Sequence, residues 1–83
     1  MKTRLQLLEE HKEQTQYALI GAEIRITLAD SLRLQLVKPG QEKMLEAIEE
    51  GRAKTVFEMR NSEAALRIIE RMIDEEKKKG EGK

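Results

Sequence analysis

The predicted fold depends on residues 23–37, which read Glu-Ile-Arg-Ile-Thr-Leu-Ala-Asp-Ser-Leu-Arg-Leu-Gln-Leu-Val. Apolar and polar residues alternate on both sides of a short break. A strand places alternate side chains on one face, whereas a helix spreads them around its circumference. The pattern therefore predicts a β-hairpin with Ala29-Asp30-Ser31 at its turn. Six apolar residues would share one face of this hairpin: Ile24, Ile26, Leu28, Leu32, Leu34 and Leu36.

The second half of the chain has the pattern of a βαβα unit. After Pro39-Gly40, residues 41–50 predict a short helix that stops at Gly51, and residues 53–60 alternate like a strand. A longer helix then begins with Asn61 or Ser62 as its cap and ends at Gly80. Because such crossovers usually join parallel strands of one sheet, we predict a small α/β fold, with a mixed sheet covered by helices.

The first 21 residues are less regular. The preferred interpretation is a helix from about residue 3 to about residue 13, then a strand over about 15 to 20, with Gly21 as a bulge or bend. The spacing of Thr3, Leu5 and Leu7 also fits a strand. Residues 1–80 are expected to form a single domain, and residues 81–83 a flexible tail.

A second interpretation is an all-α hairpin of two long helices that dimerises into a four-helix bundle. Positions spaced alternately three and four residues apart form a seam in each half of the chain, with Pro39-Gly40 midway between them. This alternative places Lys12, Arg33 and Arg52 inside the seam. It also leaves five large apolar residues outside: Tyr17, Ile20, Ile24, Leu28 and Leu34. For these two reasons the α/β fold is the main prediction.

Composition limits the classes of function. The 83 residues include 16 basic and 16 acidic side chains, so the chain lacks the net charge that steers proteins onto nucleic acid or anionic membranes. No apolar run has the length of a membrane span, and the first residues lack the features of a signal peptide, so a cytoplasmic protein without a membrane partner is expected. The absence of cysteine excludes disulfides and thiolate metal sites. Few aromatic residues predict a thin core, which favours a homo-oligomer.

One pair of residues has catalytic potential. The hairpin would bring Glu23, at the start of its first strand, close to Lys38, at the end of its second. A carboxylate and a lysine so placed could hold a divalent metal ion and orient a water for phosphodiester cleavage. A simple ion pair is the plainer interpretation. His11, the single histidine, has no predicted nucleophile beside it and is given no catalytic role.

Several motifs in the C-terminal half occur in the order found in one enzyme family. They are Leu34-Gln-Leu-Val-Lys-Pro-Gly-Gln41, Met44-Leu-Glu-Ala-Ile48, Gly51, Lys54-Thr-Val-Phe57 and Ser62-Glu-Ala-Ala65. From Leu32 to about Ile73 the chain resembles the virus-type replication-repair nucleases, which are small PD-(D/E)xK enzymes. The resemblance implies Glu23 as catalytic carboxylate and metal ligand, Lys38 as catalytic lysine, Mg²⁺ as cofactor and nucleic acid as partner.

The chain departs from the family at one essential position. Leu36 stands where the family has the glutamate of Glu-x-Lys, which removes a metal ligand. The main functional prediction is therefore a non-enzymatic α/β scaffold or interaction module, of natural or engineered origin, without an evident active site or cofactor. The alternative is a degenerate or weakly active metal-dependent nuclease-like module.

Overall fold

The computed structural model describes residues 1–81 and is a hairpin of two long α-helices. Helix α1 spans Arg4–Gln35 and helix α2 spans Glu42–Glu81, with residues 36–41 as the connection. The hairpin measures 68 × 19 × 16 Å. No strand occurs in the described residues, so the predicted α/β fold is wrong and the all-α alternative is correct for the hairpin itself. Of the predicted tail, Glu81 closes α2 and the last two residues lie outside the described part.

The segment predicted as a β-hairpin runs almost entirely within α1. Its proposed turn, Ala29-Asp30-Ser31, has no glycine, asparagine or proline to supply the backbone angles of a tight turn. Its flanks are rich in leucine, arginine and glutamine, which favour helix. The alternating apolar residues therefore divide between two helix faces, because Ile26 is half-buried while Ile24 and Leu28 are exposed.

The remaining predicted breaks also lie within helices. Helix α1 continues through the strand predicted at 15–20 and through Gly21, and α2 continues through the strand predicted at 53–60 and the cap predicted at Asn61 or Ser62. Threonines in these segments are accommodated by bonds to the preceding turn. The hydroxyl of Thr15 donates to the His11 carbonyl at 2.8 Å, and that of Thr55 donates to the Gly51 carbonyl at 2.9 Å.

Glycine 51 provides a test of the continuous helix. Among described residues only Gly40 has a positive φ, and a Cβ built on Gly51 meets no atom within 4 Å. Replacing Gly51 by alanine is therefore expected to raise the free energy of unfolding by about 0.5–1 kcal/mol, because alanine loses less backbone entropy in a helix. If Gly51 instead ended a helix in the left-handed conformation, the same substitution would lower the free energy of unfolding. Urea unfolding followed by circular dichroism measures the difference.

The N-terminus of α1 is closed by a capping box. The backbone N–H of Gln6 donates to Thr3 Oγ1 at 3.1 Å, and the backbone N–H of Thr3 donates to Gln6 Oε1 at 2.9 Å. We expect Thr3→Ala to reduce stability by about 1 kcal/mol, whereas Thr3→Ser retains most of it. Equal loss in both variants, measured by chemical denaturation, would contradict a capping role for the hydroxyl.

The start of α2 holds a titratable group whose pKa is shifted. The Glu42 carboxylate accepts hydrogen bonds from its own backbone N–H and from that of Gly40, and these bonds lower the pKa of Glu42 below its ordinary value. These hydrogen bonds therefore stabilise the folded protein above the unfolded-state pKa of Glu42. Their contribution is lost as the pH falls through the folded-state pKa of Glu42. Glu42→Gln is expected to be less stable than the parent protein at pH 7 and equally stable once Glu42 is protonated. An NMR titration of Glu42 checks the direction of the shift.

The helices meet along the seam that the all-α alternative specified. On α1 its half-buried or buried residues are Leu5, Leu8, Lys12, Thr15, Leu19, Ala22, Ile26 and Ala29, and Arg33 is exposed; Leu36, just after the helix, is half-buried. On α2 they are Leu45, Ile48, Arg52, Thr55, Met59, Ser62, Leu66, Ile69 and Ile73. Among the described apolar side chains only Ala22 and Ile73 are classed as buried. The hairpin thus has one packed seam and a very small core.

Candidate interaction surface

Ion pairs across the seam mark the register of the two helices. Arg4 lies 3.3 Å from Glu76 at one end of the seam. Further along, Arg25 lies 3.5 Å from Glu58. Toward the connection, Arg52 Nε donates to Asp30 Oδ1 at 2.7 Å. These side chains are partly or largely exposed, so each pair contributes little stability. Together the pairs show which turn of α1 lies beside which turn of α2.

This register leaves an apolar stripe on the side of α1 that faces away from α2. We define the outer face as Tyr17, Ile20, Ile24 and Leu28, whose exposed fractions are 66%, 53%, 55% and 57%. They follow one another at intervals of three, four and four residues. At 3.6 residues per turn, Ile24 lies about 200° around the helix from the buried Ala22. The outer face therefore points away from the seam, and α2 leaves it more than half exposed; Leu28, at its end, also borders a depression between the helices.

Helix α2 has no comparable stripe. Its large exposed apolar residues are Met44, Phe57 and Ile68, which are separated by 13 and 11 positions. Charged residues occupy most of its outward positions. Apolar residues on both sides of α1 make it much less amphipathic than α2. The two helices are thus not equivalent, and the unpaired apolar surface belongs mainly to α1.

The hairpin also has shallow depressions between its helices. One, of about 280 Å³, lies near Leu32 and Gly51, and another, of about 380 Å³, lies between Ala18 and Ala65. Both are open to solvent; the first is smaller than the 300–1,000 Å³ that is typical of ligand pockets, and the second lies at the small end of that range. These depressions do not provide the enclosed, convergent polar groups that a small-molecule site requires.

The structure does not bring the predicted catalytic residues together. Glu23 is exposed on α1, and Lys38 is exposed in the connection. Between Glu23 and Gln35, the last residue of α1, the helix rises about 18 Å along its axis. Their expected proximity depended on the β-hairpin, and it is lost with it. Lys38 instead donates its backbone N–H to Gln41 Oε1 at 3.1 Å.

The side chains that could serve as metal ligands are dispersed along the chain. Among the side chains that the structure describes, those of residues 1–80, no three from aspartate, glutamate, histidine or cysteine converge in a way that could hold a metal ion. Glu9 and His11 are exposed, and Glu10 pairs with Lys2.

Comparison of the chain with protein-family models, curated proteins and solved structures gives no match. Neither helix, over the described residues, is sufficiently long and apolar to cross a membrane.

Proposed function

We propose that this chain is a helical protein-interaction module that binds its partner through the outer face of α1. The observation that carries the proposal is the continuous stripe of Tyr17, Ile20, Ile24 and Leu28, each more than half exposed. Single exposed apolar side chains are common, but a contiguous apolar patch rimmed by polar residues is typical of a binding surface.

The surroundings of the stripe support a protein partner. Glu13 accepts a hydrogen bond from the Tyr17 hydroxyl at 3.2 Å, and Arg25 lies beside the stripe, so the rim carries both signs of charge. A surface that binds nucleic acid or an anionic membrane would carry clustered lysine and arginine instead. An apolar centre with a mixed polar rim is the general composition of a protein–protein interface.

Site-specific photo-cross-linking in producing cells tests this proposal. A photoreactive phenylalanine analogue is placed at residue 24 on the outer face or, as the control, at residue 57. Phe57 is itself 66% exposed, as Tyr17 is, but lies on α2. Covalent protein adducts are expected from position 24 and not from position 57. An absence of adducts from position 24, or equal yields from both positions, would overturn the proposal whatever the mass of the adducts.

The nuclease-like alternative stays a prediction with its own experiment. The purified protein is incubated with branched DNA and Mg²⁺, and Glu23→Gln serves as the matched variant. Cleavage that needs both Mg²⁺ and Glu23 would support the alternative. If the DNA stays intact, the nuclease-like alternative is wrong.

A further inference from the structure

We propose that the partner is a second copy of this chain, which packs its outer face antiparallel against that of the first. The two α1 helices then form the centre of a four-helix layer, and the two α2 helices lie on its outside. This inference rests on the proposed function, since it names the occupant of the same surface.

The spacing of the outer face is self-complementary in the antiparallel direction. A two-fold axis that crosses α1 between residues 22 and 23 sets Tyr17 of each copy opposite Leu28 of the other. With this axis, Ile20 of each copy lies within one residue, about 1.5 Å along the helix, of the level of Ile24 of the other. A large apolar side chain therefore meets another at all four levels, as an isologous two-fold interface requires.

Charge favours the antiparallel arrangement over the parallel one. Glu10 and Glu13 lie on the outward side of α1, on the turns before the stripe. A parallel pair would set each of them against its own counterpart, which is repulsive. An antiparallel pair about the same axis sets Glu13 at the level of Leu32 and Glu10 at the level of Gln35, where the outward side of α1 carries no acidic residue. The formal net charge of zero also removes overall repulsion between copies.

The small core of one chain agrees with a second copy. One chain has a single seam with two buried apolar side chains, which is a small core for a domain of this length. Pairing the outer faces would cover four large apolar side chains of each copy that one chain leaves more than half exposed. The dimer would thus contain three helix–helix contacts in a row: the seam of one chain, the contact between the two α1 helices, and the seam of the other chain.

Equilibrium sedimentation of the purified protein tests the inference, with Ile24→Glu and Phe57→Glu as matched variants. The parent protein and Phe57→Glu are expected to dimerise, and Ile24→Glu is expected to weaken dimerisation more than tenfold. Because residue 24 faces away from α2, the helical circular dichroism signal of Ile24→Glu is expected to stay unchanged. A parent protein that is monomeric at every concentration would overturn the inference, as would equal weakening by both variants. In that case residue-24 adducts to a different protein would still leave the proposed function standing.

Disulfide cross-linking tests the direction of packing, and the mixed pair keeps one of the two Tyr17–Leu28 contacts. The chain has no cysteine, so each introduced thiol is unique. A mixture of Tyr17→Cys and Leu28→Cys chains is expected to form the mixed disulfide dimer, while each variant alone forms little. Efficient self-linking of either variant alone would establish a parallel pair and overturn the inference. Binding of a monomeric parent protein to phosphatidylcholine vesicles, lost in Ile24→Glu, would overturn it in favour of a lipid surface.

Discussion

Ser31→Pro is expected to lower the free energy of unfolding by about 3 kcal/mol or more, because residue 31 lies in the interior of α1. Proline removes the backbone N–H that donates to the preceding turn, and its ring clashes with the carbonyl four residues earlier. The variant should show a loss of helical signal by circular dichroism and a lower urea midpoint at the same protein concentration.

Ser31→Ala is the control for this substitution. Alanine keeps the backbone N–H and favours helix, so it should lie within about 0.5 kcal/mol of the parent protein or slightly above it. The two variants also separate the two folds, since proline is well tolerated in many turns. A proline variant as stable as the alanine variant would contradict a continuous helix through residues 29–31.

Ile73→Ala is expected to cost about 2–4 kcal/mol, as truncation of a buried aliphatic side chain leaves a cavity that the surroundings fill only partly. Ile73 is 5% exposed and is one of the two apolar side chains classed as buried in the described chain. In a hairpin with so small a core, this loss is a large part of the total stability. Chemical denaturation monitored by circular dichroism gives the value.

The matched control is Ile68→Ala on the same helix. Ile68 is 50% exposed, and both substitutions change helix propensity by the same amount. The difference between the variants therefore reports burial alone, and Ile68→Ala should cost less than about 1 kcal/mol. Equal losses at the two positions would mean that Ile73 does not lie in the packed seam.

The position of the break between the two halves of the fold was predictable, but the type of secondary structure was not. Pro39-Gly40 was expected to interrupt the chain, and Gly40 does take the positive φ of the connection. The error lay in reading Ile24, Ile26 and Leu28 as one face. Strict alternation over a few residues also arises when a helix is apolar on two sides, and only the length of the uninterrupted segment distinguishes the cases. Helix α1 has no proline, and Gly21 does not break it.

The charged seam positions led the main prediction away from the helical hairpin. Lys12 and Arg52 are half-buried, so their aliphatic stems lie along the seam while their charged ends reach its edge. Arg52 pairs there with Asp30. Arg33, at the edge of the same seam, lies 3.7 Å from Glu49. Long basic side chains are therefore compatible with a two-helix seam, in which every position is close to solvent.

The residues of the outer face could be identified from the sequence, but their role as a binding surface could not. Tyr17, Ile20, Ile24 and Leu28 counted against the helical alternative because they would meet solvent, and they do. The objection assumed that one chain covers its own apolar residues. Helical spacing alone identifies the stripe, whereas the exposed fractions of its side chains in the folded hairpin show that α2 does not cover it.

The rod-like shape of the hairpin, 68 Å long and less than 20 Å wide, governs its hydrodynamics. Such a particle experiences more friction than a sphere of its 9.6 kDa mass. A single chain is therefore expected to elute early from gel filtration, with the apparent mass of a globular dimer. Side-by-side association doubles the mass while adding little length. The frictional ratio should therefore fall on dimerisation, whereas end-to-end association would raise it.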